Sequence, residues 1–478
     1  MRYLNFFLIF FLDFAKIILL MKNILCVTIL VESSPQALPL GLACIASSIK
    51  NNSLTKDLCN VDLIALNPED KTYIFHSKND DELAEYISKI ILDKNPNIVC
   101  FSVFVWNRKI LEKTSILLKK NNIITIAGGP EITANINQTF NFDYTIAGPG
   151  ENQVPQLIYK LIKNKSDNSE KAVYDLEMLP SPYLDNTLNT KEYDGALWEL
   201  ARGCPFKCSY CYESKGEKKV SYFPIERIKK ELDLFAKNKV PQVFVLDPTY
   251  NANKKRAIEL INLIAQKTPD TFYYFEARSE FIDRELAHAF TKITCALQIG
   301  LQSANEEVLK LVNRPFNKSK FVKNIGYLNQ EGVIFGLDLI YGLPKESLKS
   351  FKNGINFALS LYPNNLEIFR LSVLPGTDLF DRADELKLNY MKEPPYHVIN
   401  TDFLSHDDIK HAENLSHACN YFYNLGRAVP WFNIICNNLH LSPVNLLEKF
   451  FNFSQTNKIN LLNCCQNHLE IQKVQIEF

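Results

Sequence analysis

The sequence has no excess of charge of either sign: 53 Lys and Arg balance 53 Asp and Glu. Without a global field, nothing in the composition calls for nucleic acid or an anionic membrane surface as a partner. It also lacks a basic stripe, any DNA-binding signature and any solenoid repeat. Its 12 cysteines in 478 residues fall short of the density of a small disulfide scaffold. Cys26, Cys44, Cys59, Cys100 and Cys295 sit in apolar runs, where a free thiol packs as a small hydrophobe. A reducing, cytoplasmic setting is the expectation. Residues 1–20, MRYLNFFLIFFLDFAKIILL, lack a small-residue cleavage site, are interrupted by Asp13 and Lys16, and are borderline in length for a span. Met21 then opens the strand-like MKNILCVTIL, so 1–20 reads as a doubtful, dispensable or artefactual extension, and membrane attachment is not expected.

From Met21 onward a βα rhythm is present. Strands are predicted at 23–30, 61–66, 97–104, 123–128 and 143–147, with helical patterns at 39–50, 80–93 and 108–120. Doubly buried strands alternating with helices imply an α/β domain, a flavodoxin-like, doubly wound parallel sheet over 21–162. Such sheets bind ligands at their carboxyl ends. Those ends carry Ser102 through Trp106 and Asn107, then Gly128-Gly129-Pro130-Glu131, then Gly148-Pro149-Gly150-Glu151. Glycines there let backbone approach a ligand, although short Gly-rich turns alone are common. Residues 163–195 are polar and read as a linker. A second βα series begins at Trp198–Arg202, with strands at 242–247, 272–277, 295–301, 333–340 and 366–373. Six units make a partial (β/α)6 barrel over 196–392. Residues 393–478 lose the alternation and read as a small, mostly helical cap domain.

The densest chemistry lies in ELARGCPFKCSYCYESKG (199–216), where Cys204, Cys208 and Cys211 stand as C-x3-C-x2-C. Random placement of the cysteines gives this spacing about 0.01 times per chain. A structural zinc site needs a fourth ligand, and the nearest later ones, His288 and Cys295, are remote. Three thiols at the end of a barrel's first strand instead suit a [4Fe–4S] cluster with one iron left open.

C-x3-C-x-aromatic-C, with Tyr210 as the aromatic, resembles the radical S-adenosylmethionine (SAM) superfamily. That resemblance implies that Cys204, Cys208 and Cys211 hold the cluster and that its open iron binds SAM. VLDPTYN (245–251) implies Asp247 and Thr249 near the methionine amino group; YFEARSEFI (274–282) implies Glu276 on the ribose and Arg278 on the SAM carboxylate. LQIGLQSANEEVLKLVNRP (297–315), with Gln298 and Gln302 as polar handles, resembles cobalamin-dependent members, as do DLIYGLPKE (338–346) and LSVLPGTDL (371–379). So do the N-terminal stretches PLGLACIASSI, FSVFVWN, IAGGPEITA and AGPGE. One departure stands out. The loop after the first strand, VESSPQALPLG (31–41), has no histidine, and the domain's only one is His76. Cobalamin is therefore expected without a histidine lower ligand. Residues 393–409 and 420–429 resemble a domain of unknown function attached to some cobalamin radical SAM proteins.

The implied activity is reductive SAM cleavage and cobalamin-dependent methyl transfer to an unactivated carbon of a small-molecule or peptide substrate. An electron donor such as flavodoxin or ferredoxin is implied, and no nucleic acid. A non-methylating rearrangement or cyclisation, and a non-catalytic Fe–S or cobalamin sensor, are the alternatives. No general acid or base is nominated.

Overall fold

The run Lys22–Ile29 is buried on both faces after its first two residues, as a central strand of a covered parallel sheet must be. It is β1 of a computed structural model that describes residues 21–67, 79–164, 175–213, 219–462 and 467–478. Residues 1–20 and His76 lie outside the described residues. The strands β2 (Cys59–Leu66), β3 (Ile98–Ser102), β4 (Ile124–Gly128) and β5 (Tyr144–Thr145) complete a parallel sheet of order β2-β1-β3-β4-β5. The period of two along β1 divides its side chains between two cores. Leu25, Val27 and Ile29 pack with residues of helices Asp80–Leu92 and Arg108–Lys119. Ile24 and Cys26 pack with residues of helices Leu40–Asn51 and Gln153–Lys163.

The strand order reverses between β1 and β3, and one side chain ties the two strand ends together there. Asn107 is fully buried; its amide donates to Ile29 O and Ser102 O, both at 3.2 Å, and its oxygen accepts from Phe104 N at 2.8 Å. Trp106 adds a bond from Nε1 to Ile29 O at 2.9 Å.

Two compact units result: the described part of 1–197 with 223–240, and 198–222 with 241–478. Residues 175–195, polar in sequence, are packed into the first. Tyr183 is buried, donates to Leu197 O at 2.6 Å, and meets Phe235 of helix Ile225–Asn238 edge-on at 5.2 Å.

The second series consists of β6 (Ala196–Trp198), the short antiparallel pair β7 (Ala201–Arg202) and β8 (Ser221–Tyr222), then β9 (Gln242–Val245), β10 (Phe272–Ala277), β11 (Cys295–Gln302), β12 (Ile334–Tyr341) and β13 (Asn365–Arg370). The barrel sheet runs β13-β12-β11-β10-β9-β6, six strands as expected. Its first strand ends earlier than Trp198–Arg202, because Leu200 N and Ala201 N donate to the Asp247 carboxylate at 2.8 and 3.0 Å instead of continuing the ladder. In β11 the alternation is strict: Cys295, Leu297, Ile299 and Leu301 are buried, whereas Gln298, Gly300 and Gln302 lie on the opposite face.

The C-terminal region is helical, as expected, but a small antiparallel pair precedes it, β14 (Asn389–Tyr390) with β15 (Val398–Asn400). Helix His406–Cys419 starts from a Ser405/Asp408 capping box. Tyr421 and Tyr423 beyond it are core residues, and His411 pairs with Glu448 at 2.8 Å. The apolar-run cysteines Cys26, Cys44, Cys59, Cys100 and Cys295 are all free and buried, and burial pushes Cys59 up to about 11. Among the described residues no helix is long and apolar enough to cross a membrane.

Asn107→Ala removes a clasp whose partners stay buried, so a loss of about 1–3 kcal/mol is expected. Urea denaturation followed by circular dichroism checks this; a change within a few tenths of a kcal/mol would assign the clasp no weight.

Candidate functional site

The thiol loop starts where Asp247 stops the first barrel strand. Asp247 is 5 % exposed, and burial, opposed by the two backbone N–H bonds, pushes its carboxyl up to about 7. The loop is held from outside by Ser209 N donating to Val312 O at 2.9 Å, Leu379 N to Ser209 O at 2.8 Å, and Asn313 Nδ2 to Lys207 O at 2.7 Å. Cys204, Cys208 and Cys211 thereby line one cavity of about 180 Å³ together with the carboxyl ends of β10, β11 and β12. Among the described residues no three His, Cys, Asp or Glu side chains converge on a point that would hold a single metal ion. An iron–sulfur cluster does not ask for that convergence, because each cysteine ligates a different iron.

Of the residues expected around SAM, Tyr210, Thr249, Glu276, Arg278, Gln298 and Gln302 all line this cavity. Asp247 does not, since its carboxylate serves the backbone of the loop's first residues. Thr249 Oγ1 lies 3.7 Å from Cys204 Sγ. Arg278 is engaged by its neighbour: Nε donates to Glu280 Oε2 at 3.1 Å, a second bond joins Nη2 to Glu280 Oε1, and the guanidinium stacks 3.9 Å over Phe206. Glu276 is exposed at the cavity, yet desolvation by the surrounding protein first, then the charges of Asp338 and Glu213, push its carboxyl up to about 7. Burial holds the Tyr210 hydroxyl protonated well above its usual range, against the opposing pull of Arg314.

Two glycines make the floor. A Cβ on Gly336 would strike Gln298 Oε1 at 2.3 Å, and one on Gly300 would strike Gln302 Nε2 at 2.4 Å. Each glutamine therefore lies across a bare stretch of backbone. Gln298 Nε2 donates to Asp338 Oδ1, whose carboxyl is raised to about 6 by burial. Gln302 follows a register shift in β11, adopts φ +70°, and leaves its buried Oε1 without a partner among the described residues.

Arg314 and Asp338 were not singled out from sequence, although each lies within or opens a quoted run. Arg314 is 7 % exposed and donates to Gly300 O, to Tyr210 Oη at 3.4 Å and to Cys208 Sγ at 3.7 Å. The alternation along β12 could have placed Asp338 beside Gln298; no local signal could have aimed Arg314, which reaches the loop from beyond helix Glu306–Leu311.

At the N-terminal sheet the predicted residues separate into scaffold and surface. Asn107 is consumed by the strand-end clasp, and Glu131, 2 % exposed, accepts from Arg108 Nη1 at 2.9 Å and Asn135 Nδ2 at 3.2 Å. Glu151 is buried as well, Ser102 is half-buried with its carbonyl taken by Asn107 and Thr28, and Gly128 ends β4 in ordinary contact with Ile146. Trp106 (44 % exposed, stacked on Phe104 at 4.4 Å), Pro130 and Gly148 face solvent. Gly129 must be glycine: its φ is +111° and a Cβ would sit 2.6 Å from Val103 O. Gly148, at φ +78°, has open space around the Cβ position, and Gly150 is closed by Ile45. The rim of this sheet thus offers bare backbone and one indole, and no imidazole occurs among the described residues of this unit.

A partial parallel barrel whose first strand delivers three cysteines to the strand ends defines a radical SAM domain. Residues 198–358 match the radical SAM superfamily, and residues 384–469 match a protein of unknown function (DUF4080). The chain is 25% identical over 335 residues to the cobalamin-dependent radical SAM methyltransferase TokK of Streptomyces tokunonensis, covering 59% of this chain and 48% of that one. It thus spans about half the length of the curated relatives it matches first. Among solved structures, the cobalamin-dependent SAM radical enzyme OxsB with aqua-cobalamin shares the fold at TM-score 0.63 and 15% identity, over 85% of this chain and 68% of that one. The radical SAM methyltransferase TsrM of Kitasatospora setae does so at TM-score 0.60 and 12% identity, over 79% and 82%. Residues 198–358 thus form a radical SAM domain, in a chain similar in sequence to cobalamin-dependent radical SAM methyltransferases.

Beneath the site, Glu346 is 1 % exposed, accepts from Ser303 Oγ at 2.6 Å, and has a second buried oxygen with no partner among the described residues. Burial, only partly offset by the serines, raises its carboxyl from 4.5 to about 8. The folded chain therefore keeps a proton there that the unfolded chain loses above its lower pKa, so this group's stabilisation is complete below about pH 4.5 and is lost as pH rises toward 8. The urea midpoint of cofactor-free protein is expected to fall between pH 5 and 8, and Glu346→Gln to flatten that fall by up to about 1.4 kcal/mol per pH unit. Parallel pH profiles for the two proteins would refute this.

Proposed function

We propose that the chain cleaves SAM reductively at a [4Fe–4S] cluster held by Cys204, Cys208 and Cys211, and that a cobalamin bound by the N-terminal sheet carries a methyl group to an unactivated carbon. The observation that carries the reading is the meeting of these three thiols with the polar ends of β10, β11 and β12 around one cavity. The donor set suits the cluster: three thiols with no fourth among the described residues lining the cavity, and two guanidinium groups facing the sulfur of Cys208 at 3.7 and 3.9 Å. When bound, the cluster supplies the electron that breaks a carbon–sulfur bond of SAM, and cobalamin supplies a methyl carrier.

The chain's own residues bind, orient and exclude. In this reading Glu276 takes the ribose hydroxyls, and Thr249, beside Cys204, takes the methionine amino group. Gln298, oriented by Asp338, and Gln302, whose amide oxygen has no partner among the described residues, offer hydrogen-bonding edges over bare glycine backbone for the nucleoside or substrate. The engagement of Arg278 by Glu280 supports a bracing part for it, so a SAM carboxylate would be met by a guanidinium already paired. On the N-terminal sheet, Trp106 and the backbone at Gly129, Pro130 and Gly148 suit a broad, flat cofactor approached without imidazole ligation. Ser102, Asn107, Gly128, Glu131, Gly150 and Glu151 serve by holding that rim in shape. The substrate is a small molecule or peptide, an external one-electron donor is needed, and the helical C-terminal region shapes access to the barrel.

Anaerobic reconstitution with iron, sulfide and hydroxocobalamin, followed by dithionite and SAM, tests the proposal by mass spectrometry. 5′-Deoxyadenosine together with S-adenosylhomocysteine, and cobalamin retained on the protein, are expected; Ala at all three cysteines should bring deoxyadenosine to background without unfolding the chain. Deoxyadenosine without S-adenosylhomocysteine would replace methyl transfer by rearrangement or cyclisation. Its absence from a fully loaded cluster would leave a sensor.

A further inference from the structure

Two arginines approach the sulfur of Cys208, and they are not equivalent. Arg278 reaches it with Nη1 at 3.9 Å, but its other donors close a fork on Glu280, so its charge is offset beside the loop. Arg314 reaches the same sulfur with Nη1 at 3.7 Å, and its acceptors are that sulfur, the Tyr210 hydroxyl and the Gly300 carbonyl. None of the three is a carboxylate; Glu280 acts on Arg314 only through its field. The side chain is more than nine-tenths buried, which strengthens any charge interaction it makes. Arg314 also ties the loop to the floor: Gly300 is where the neighbouring strand shifts register, and Arg314 Nη2 lies 3.0 Å from the Cβ position of that glycine.

We propose that Arg314 is the positioning and charge-compensating residue of the thiol loop, holding the Cys208 sulfur and raising the reduction potential of the cluster bound there. The proposal rests on the cluster assignment above. Taking up one electron makes a thiolate-ligated cluster more negative by one charge. A buried, hydrogen-bonded guanidinium at one ligand sulfur stabilises that reduced state, since net charge and hydrogen bonds to the sulfurs set cluster potentials. The electron comes from an external one-electron reductant, and no bond is made or broken.

The experiment uses the full chain, reconstituted with iron and sulfide under anaerobic conditions and without SAM. Iron and sulfide are counted per chain, and the one-electron reduction by dithionite is titrated through redox mediators with the reduced cluster read by electron paramagnetic resonance. Arg314→Gln keeps hydrogen-bonding capacity and removes the charge; Arg314→Lys keeps the charge. At the potential where the wild-type cluster is half reduced, the Gln variant is expected to show a reduced-to-oxidised ratio about tenfold lower, a shift of ~59 mV to more negative potential for a one-electron couple. The Lys variant is expected to stay within about threefold of wild type on the same scale. A cluster retained by Lys at the wild-type potential but lost by Gln supports the proposal too. Equal potentials in wild type and Gln overturn it, as does an equal shift in Gln and Lys. Loss of the cluster or of the fold in both variants would leave Arg314 a structural brace only. A wild-type chain that binds no four-iron cluster would instead sink the assignment of the three cysteines, an outcome distinct from any of these.

Discussion

The buried carboxylate of Asp247 decides where the first barrel strand ends, and the cysteine loop follows from that ending. By taking Leu200 N and Ala201 N it replaces the next rung of the sheet, so the chain turns away with its backbone donors satisfied. A buried carboxylate without such donors would be costly; with them, its pKa is nonetheless raised to about 7. The arrangement gives a residue that looks like a ligand-binding acid a different task, that of launching the loop. Everything downstream depends on this: Cys204 beside Thr249, Cys208 between two guanidinium groups, and Tyr210 against Arg314.

Within the barrel unit, Arg278 and Arg314 approach the sulfur of Cys208, and Glu276, Asp338 and Glu213 line the same cavity. Burial raises all three carboxyls, the charges of Asp338 and Glu213 add to it at Glu276, and the pairing of Gln298 with Asp338 shows how one of them is put to use as an orienting acceptor. A Cβ at 300 or 336 would displace the amide of Gln302 or Gln298 from the place it now occupies.

The N-terminal unit solves a different problem, which is to hold open the ends of a doubly wound sheet where its strand order reverses. Asn107 and the Arg108–Glu131 ion pair stitch the loops to the strands. What they leave outside is backbone at glycine and the exposed ring of Trp106.

The sequence by itself determined the strand and helix succession, because period-two and period-3.6 patterns are local properties of the chain. The expected strands at 272–277 and 295–301 coincide with β10 and β11 to within one residue, and the cysteine spacing marked the candidate site. Tertiary structure alone decided which polar residues near strand ends face the cavity. Asp247, Asn107 and Glu131 carry the same side-chain types as ligand-binding residues, and only the position of distant backbone donors and of Arg108 shows them satisfied within the scaffold. Arg314 was invisible for the converse reason. It stands 106 residues from Cys208 in sequence, and the contact exists because the helix and turn after β11 bring that guanidinium back over the loop. Spacing along a chain is written in its sequence; proximity across folded elements is set by packing, and it decided the site.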